Sequence, residues 1–168
     1  LQLTQPPGAA GDWSATLKLQ GPLAQPELQA RLRAQATPAS APQTLDASAE
    51  LRPFAAWPLR QLQAQAVGLD LGALHSAAPR TALDLEASAH TDGMDRPAAV
   101  QIDLANRDAG RWNEGRLPLR RLQLDLQAQP DDPTRLDVRR FDAELGNARA
   151  AAGRVGGSGH WNPSDWRF

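Results

Sequence analysis

Three histidines, a scatter of carboxylates and one glycine-rich run are the residues through which this chain of 168 residues could do chemistry. His75, His90 and His160 stand far apart, and no pair has the close spacing with which one element presents ligands to zinc or iron. Cysteine is absent, which excludes disulfides and thiolate ligands. Ser158-Gly159-His160 with Asp165 has the residue types of a hydrolase, but no Gly-x-Ser-x-Gly elbow leads from a strand into a helix. The run from Gly153 to Gly159 lacks the Gly-Lys-Ser/Thr ending of a phosphate loop. Asp46, Glu50, Asp84, Glu86, Asp103 and Asp125 recur at alternate positions, as do Arg31, Arg33, Arg52, Arg60 and Arg121, the pattern of a solvated face with cross-strand ion pairs. The expectation is therefore of no catalytic residue, no metal and no cofactor. A formal net charge of -1 gives nucleic-acid binding no electrostatic footing. No apolar run approaches the roughly 20 residues that span a bilayer as a helix. The start, Leu1-Gln2-Leu3-Thr4-Gln5-Pro6-Pro7, reads as a segment excised from a longer protein.

The elements that carry these residues follow a two-residue apolar rhythm. In Leu28-Gln29-Ala30-Arg31-Leu32-Arg33-Ala34-Gln35-Ala36 every even position is apolar and every odd one polar. The alternation returns in Leu45 to Leu51, Leu83 to Ala89, Val100 to Leu104 and Leu122 to Ala128. Successive strand side chains point to opposite faces, so each run predicts a strand with one apolar and one wet face. About eight strands of about eight to eleven residues are expected, joined by short turns into one undivided segment, with residues 1–10 irregular.

The first strand runs from Trp13 to Leu19 and closes at Gly21-Pro22; the second is Leu28 to Ala36. The third, Leu45 to Leu51, stops before Pro53, which has no N–H to give a ladder. From Leu59 to Leu71 the inward places switch from Leu62, Ala64 and Ala66 to Leu69 and Leu71, as one extra residue near Val67-Gly68 would cause. Leu59, Leu62, Ala66 and Leu69 also fit a helical stripe, and one helical turn is expected near Leu71 to His75. Strands follow at Leu83 to Ala89, Ala99 to Leu104 and Pro118 to Ala128, then one long stretch from Leu136 toward Trp161. In that stretch Gly153, Val155, Gly157, Gly159 and Trp161 share a face, with glycine marking a bend or a close approach. Asp92-Gly93, Asp108-Ala109-Gly110 and Pro130-Asp131-Asp132-Pro133 supply turns. Trp57 to Ala66 matches Leu117 to Leu126 at a spacing of sixty, and Leu45 to Ala49 resembles Leu83 to Ala89, so the sheet reads as stacked strand units.

The apolar face should collect Leu17 and Leu19 from the first strand, Leu28 and Leu32 from the second, and Leu45 and Leu51 from the third. Leu62, Leu69 and Leu71 continue it, followed by Leu83 and Leu85 and by Val100, Ile102 and Leu104. Leu122, Leu124 and Leu126 come next, then Leu136 and Val138. A β-sandwich fills its interior to crystal-like density. Here aromatics are only 5% and alanine takes many of the remaining inward places, leaving little volume to plug a closed core. The fold expected is all-β, an elongated, curled antiparallel sheet with an apolar concave interior; the alternative is a sheet whose two apolar halves close on each other. An open apolar trough would hold acyl chains, at about 0.8 kcal/mol per CH2 buried. Trp57 and Trp112, at strand starts or turns, suit either the rim of such a groove or ordinary turn packing.

Several stretches resemble one family. The alternating Leu/Ala strands, Pro53-Phe54-Ala55-Ala56-Trp57-Pro58-Leu59, the Leu69-Asp70-Leu71 step, and Asn106-Arg107-Asp108-Ala109-Gly110-Arg111-Trp112 followed by Arg116-Leu117-Pro118-Leu119 look like the TamB family. This is the inner-membrane subunit of the translocation and assembly module, in the AsmA-like group of bridge-type lipid-transport proteins of Gram-negative bacteria. The resemblance runs from about Trp13 to Trp161 and implies a β-taco trough in the periplasm, in a parent protein anchored in the inner membrane. Phospholipid acyl chains would be its cargo, in transport between inner and outer membranes that supports outer-membrane biogenesis and protein assembly. An outer-membrane barrel partner would act through the parent protein.

Three functional classes follow. One is a segment of a lipid conduit. Another is a periplasmic, chaperone-like scaffold that pairs an open sheet edge with strands of outer-membrane proteins. The third, a closed β module of a surface adhesin, calls for Thr, Asn, Ser and Gly-rich strands that this composition does not offer.

Overall fold

A computed structural model describes residues 2–4, 13–35, 42–55, 58–75, 77–91, 96–130, 132 and 135–161. Among these residues ten strands form one antiparallel sheet in strict chain order. They are β1 (Gln2–Thr4), β2 (Trp13–Gln20), β3 (Glu27–Ala34), β4 (Gln43–Leu51) and β5 (Leu59–Leu69). Then come β6 (Leu83–His90), β7 (Ala98–Asn106), β8 (Leu119–Ala128), β9 (Leu136–Gly146) and β10 (Ala151–Trp161). β1 and β10 are the two edges and do not pair with each other, so the sheet is open.

The alternating runs form strands within a residue or two of where the sequence placed them. The count differs at both ends. Gln2–Thr4, inside the stretch expected to be irregular, pairs with Ser14 to Thr16. The long stretch from Leu136 to Trp161 is two strands, because Asn147 folds the chain back on itself. Its Oδ1 accepts from the N–H groups of Arg149 (2.9 Å) and Ala150 (3.0 Å). The turn at Asp92-Gly93 and the ends of the second strand at Ala36 and of the chain at Asp165 lie outside the described residues, as does Trp57.

The segment open to strand or helix is strand β5, and the expected bulge is there. Ala66 faces Leu85 and Leu69 faces Leu83, so three steps on β5 match two on β6. Gly68 takes up the extra residue at φ 64, a left-handed conformation that favours glycine. Its N–H, lost to the ladder, donates to Asp84 Oδ1 at 3.0 Å. The strand then passes into one helical turn, α1 (Leu71–Leu74), as the sequence anticipated.

Other register shifts, among them one in β9, were not anticipated. On β9, Arg140 faces Asp125 while Val138 faces Leu126, leaving Arg139 as the extra residue, and β10 skips at the same place. The apolar face therefore passes from Leu136 and Val138 to Phe141, Ala143 and Leu145.

Candidate apolar groove

The register arranges the apolar side chains into rows that cross the strands, each row running along the sheet. The upper row reads Leu32, Leu45, Ala66, Leu85, Leu104, Leu122 and Ala143 from β3 to β9. The lower row reads Leu28, Ala49, Leu62, Ala89, Val100, Leu126 and Val138 across the same strands. Between them lies a lane of Ala30, Ala47, Ala64 and Ala87, continued by Ile102, Leu124 and Phe141. Strands stand about 4.8 Å apart, so the alanine floor is about 14 Å long; beside it stand Leu28 and Leu32 on β3, Leu45 on β4, Leu62 on β5 and Leu85 on β6, with Ala49, Ala66 and Ala89 in the remaining places. Periodicity in the sequence gave the face; only the register gives the lane.

Of the residues expected to line the groove, all but Leu71 fall on this face by their strand pairings. Leu17 and Leu19 lie opposite Ala30 and Leu28, on β2, where Leu19 is 65% exposed. Leu51 is opposite Leu59 across a register shift. Leu136 is opposite Ala128. Leu71 is instead on α1, where it and Leu74 pack on the cluster of Ala66, Leu69 and Leu83. The cause is local: after the bulge the strand ends at Leu69 and Asp70 caps a helix, so Leu71 reaches the apolar cluster from α1 rather than from the strand. Phe141, Ala143 and Leu145 belong to the face but were missed. Their signal, apolar parity breaking between Val138 and Phe141, is the same one that revealed the bulge in β5.

Covering is sparse. Among the described residues Leu69 and Leu83 are the only leucines classed as buried, and no large side chain is fully enclosed. Ile102, Leu104, Leu122, Leu124 and Leu126 are half-buried by their own row neighbours. A second layer packed on this face would remove such residues from solvent entirely.

The upper end is held by a polar network. Asp70 Oδ1 accepts from the N–H groups of Gly72 and Thr81, both at 3.0 Å. The Thr81 hydroxyl donates to the Leu69 carbonyl (2.9 Å) and accepts from Leu71 N–H (3.0 Å). Buried Gln43 accepts from Asp70 N–H at 2.8 Å. Asn106, also buried, accepts from Ala82 N–H (3.1 Å) and Asp108 N–H (3.2 Å). Arg116 and Arg80 both reach Asp108, at 2.7 and 3.7 Å, which ties the α1 loop to the loop that carries Trp112. Trp112 is 67% exposed in a 3-10 turn of that loop.

The opposite face carries the charges. Arg33 makes a bidentate contact to Asp46 at 2.9 and 2.8 Å, and Arg60 bridges Glu50 at 3.1 Å. Arg107 bridges Asp84 at 2.8 Å, and Arg120 pairs with Glu144. Such exposed pairs contribute little to stability individually. Arg154 donates to Asp142, and this hydrogen bond holds the Asp142 carboxyl below the usual aspartate range, against the opposing effect of desolvation. A shallow hollow of about 630 Å3 crosses β3 to β7 on this polar side, among Gln63, Gln65, Ser88, Gln101 and their neighbours. No local pattern of residues marks it. A twisted sheet is saddle-shaped, so each face is concave along one diagonal.

The residues weighed for catalysis stay apart. His75 Nδ1 accepts from Ala77 N–H at 3.2 Å, next to the end of α1. His90 on β6 and His160 on β10 are separated by four strand spacings, about 19 Å. His160 is beside Asp137 at 3.4 Å. Among the described residues no three His, Asp or Glu side chains form a group that could hold a metal ion, and no helix is long and apolar enough to cross a membrane. No protein-family model, curated protein or solved structure matches the chain.

Proposed function

We propose that this sheet is a periplasmic, TamB-like segment that shields phospholipid acyl chains on its apolar face while they travel between membranes. The observation that carries the reading is the alanine lane flanked by Leu28, Leu32, Leu45, Leu62 and Leu85, on a face where, among the described residues, Ile102, Leu104, Leu122, Leu124 and Leu126 stay half-buried with no second sheet packed over them. A chain of methylenes laid along the lane would gain about 0.8 kcal/mol per CH2 removed from water. Leucine, isoleucine and alanine present no directional bond, so nothing fixes the chain at one place and sliding along the sheet is cheap.

Leu124→Arg, followed by thermal melting and by photo-crosslinking to lipid from a neighbouring position, tests it. On an open face water reaches the guanidinium, so melting is retained and crosslinking is lost. In a packed core the same unpaired charge costs several kcal/mol and a marginally stable fold collapses.

A second reading has its own observation. β10 is an edge strand whose residues 151–160 are all exposed, including Val155 at 54%, with no proline to block pairing. An edge of that kind is a template for a strand of another protein, here of an outer-membrane protein. Lipid in organic extracts of the purified protein favours the conduit; client crosslinks confined to β10 favour the scaffold.

A further inference from the structure

We infer that α1 is a fixed side wall of the groove, and that Leu74 and Leu71 set the width of apolar ligand it admits. The inference rests on the acyl-chain reading and adds a selectivity element to it. α1 is a single turn of four residues, too short to be stable as a helix by itself. It persists because Asp70 caps it, Thr81 bonds both the strand before it and its first residue, and Gln43 holds Asp70 from β4.

What this anchoring positions is a pair of leucines over the upper row. Leu71 and Leu74 pack on Ala66, Leu69 and Leu83, and Ala66 is 1% exposed. Ala64, two residues along the same strand and on the same face, is only half-buried. Cover therefore ends between the upper row and the alanine lane. Over β4 to β6 the open strip is the lane alone, because Ala49 and Ala89 of the lower row are themselves buried, and the lane lies about 7 Å from each row along the strands. That furrow suits one flexible chain lying across the strands and is too narrow for a fused-ring body. Neither leucine is itself buried.

Two fluorescent ligands of different girth measure the wall: cis-parinaric acid, a straight polyene chain, and dehydroergosterol, a rigid sterol. The wild-type protein is expected to bind the first and discriminate against the second. Leu74→Ala should reduce that discrimination about tenfold, and Leu74→Trp should sharpen it or exclude both ligands, with the circular-dichroism spectrum of each variant unchanged. Opposite shifts from a smaller and a larger side chain are not what a merely structural residue produces. If Leu74→Ala does not fold, Leu74→Trp and Leu71→Ala carry the test. Parinaric acid binding with the same ratio in all folded variants overturns the wall and leaves the acyl-chain reading standing. A wild-type protein that binds neither ligand overturns both.

Discussion

Ala64 lies at the middle of the lane, flanked by Ala47 and Ala87 on the neighbouring strands. A larger side chain there has open space above it, so the overpacking that penalises such changes in a closed core does not arise. Ala64→Leu should leave the free energy of unfolding within about 0.5 kcal/mol of wild type and reduce co-purifying lipid, measured by mass spectrometry of organic extracts. Gly68 is the opposite case. At φ 64, a Cβ would also sit 3.3 Å from the Pro42 carbonyl and from the Arg107 guanidinium, so Gly68→Ala should cost about 1 kcal/mol or more in chemical denaturation. Asn106, whose buried amide serves two N–H groups, was visible in the sequence only as part of a family-like stretch. Its role depends on three segments meeting at one end of the sheet, which no local pattern records.

The bulges at Gly68 and Arg139 show what at the level of elements was legible. In β5 the apolar parity breaks at a glycine between two strong alternating runs, so both the break and its cause could be read. In β9 the break falls at Arg139-Arg140, where no glycine marks the place and the next strand is glycine-rich, so alternation gave no firm frame on either side. β1 is three residues, shorter than the four or more over which alternation is readable. α1 was legible as a turn, though not as cover for the apolar face. The hollow on the polar side was not legible, since curvature accumulates over many strands and leaves no mark in any one of them. The β9 and β10 pair also carries a pH dependence. Asp142 titrates below its ordinary value because Arg154 donates to it, so the pair's contribution is present above the ordinary aspartate value and is lost as pH falls through the lowered one. Amide protection of β10 should therefore drop below about pH 4, and Asp142→Asn should remove that step.

Across the whole molecule, each described strand contacts substantially only the strands before and after it in the chain. A cysteine scan reads the two faces this creates: Gln101→Cys and Asp103→Cys should label readily with a polar maleimide, whereas Ile102→Cys and Leu104→Cys should label slowly, and equal rates would remove the apolar groove. The same strict order bears on how the chain acquires its structure. No ladder has to wait for distant segments to meet, so every loop closed during folding is a hairpin loop and the entropy of long-range closure is largely avoided. Folding can begin at any hairpin and spread in both directions, as in linear repeat arrays. The all-or-none transition usual for small domains is then not expected. Native-state hydrogen exchange should show protection highest around β5 to β7, where Leu69, Leu83 and Ala66 are buried, and declining stepwise toward both edges. A sheet built this way can lose or gain a hairpin and reseal the ladder, so the length of the groove is adjustable in units of two strands without redesign of what remains.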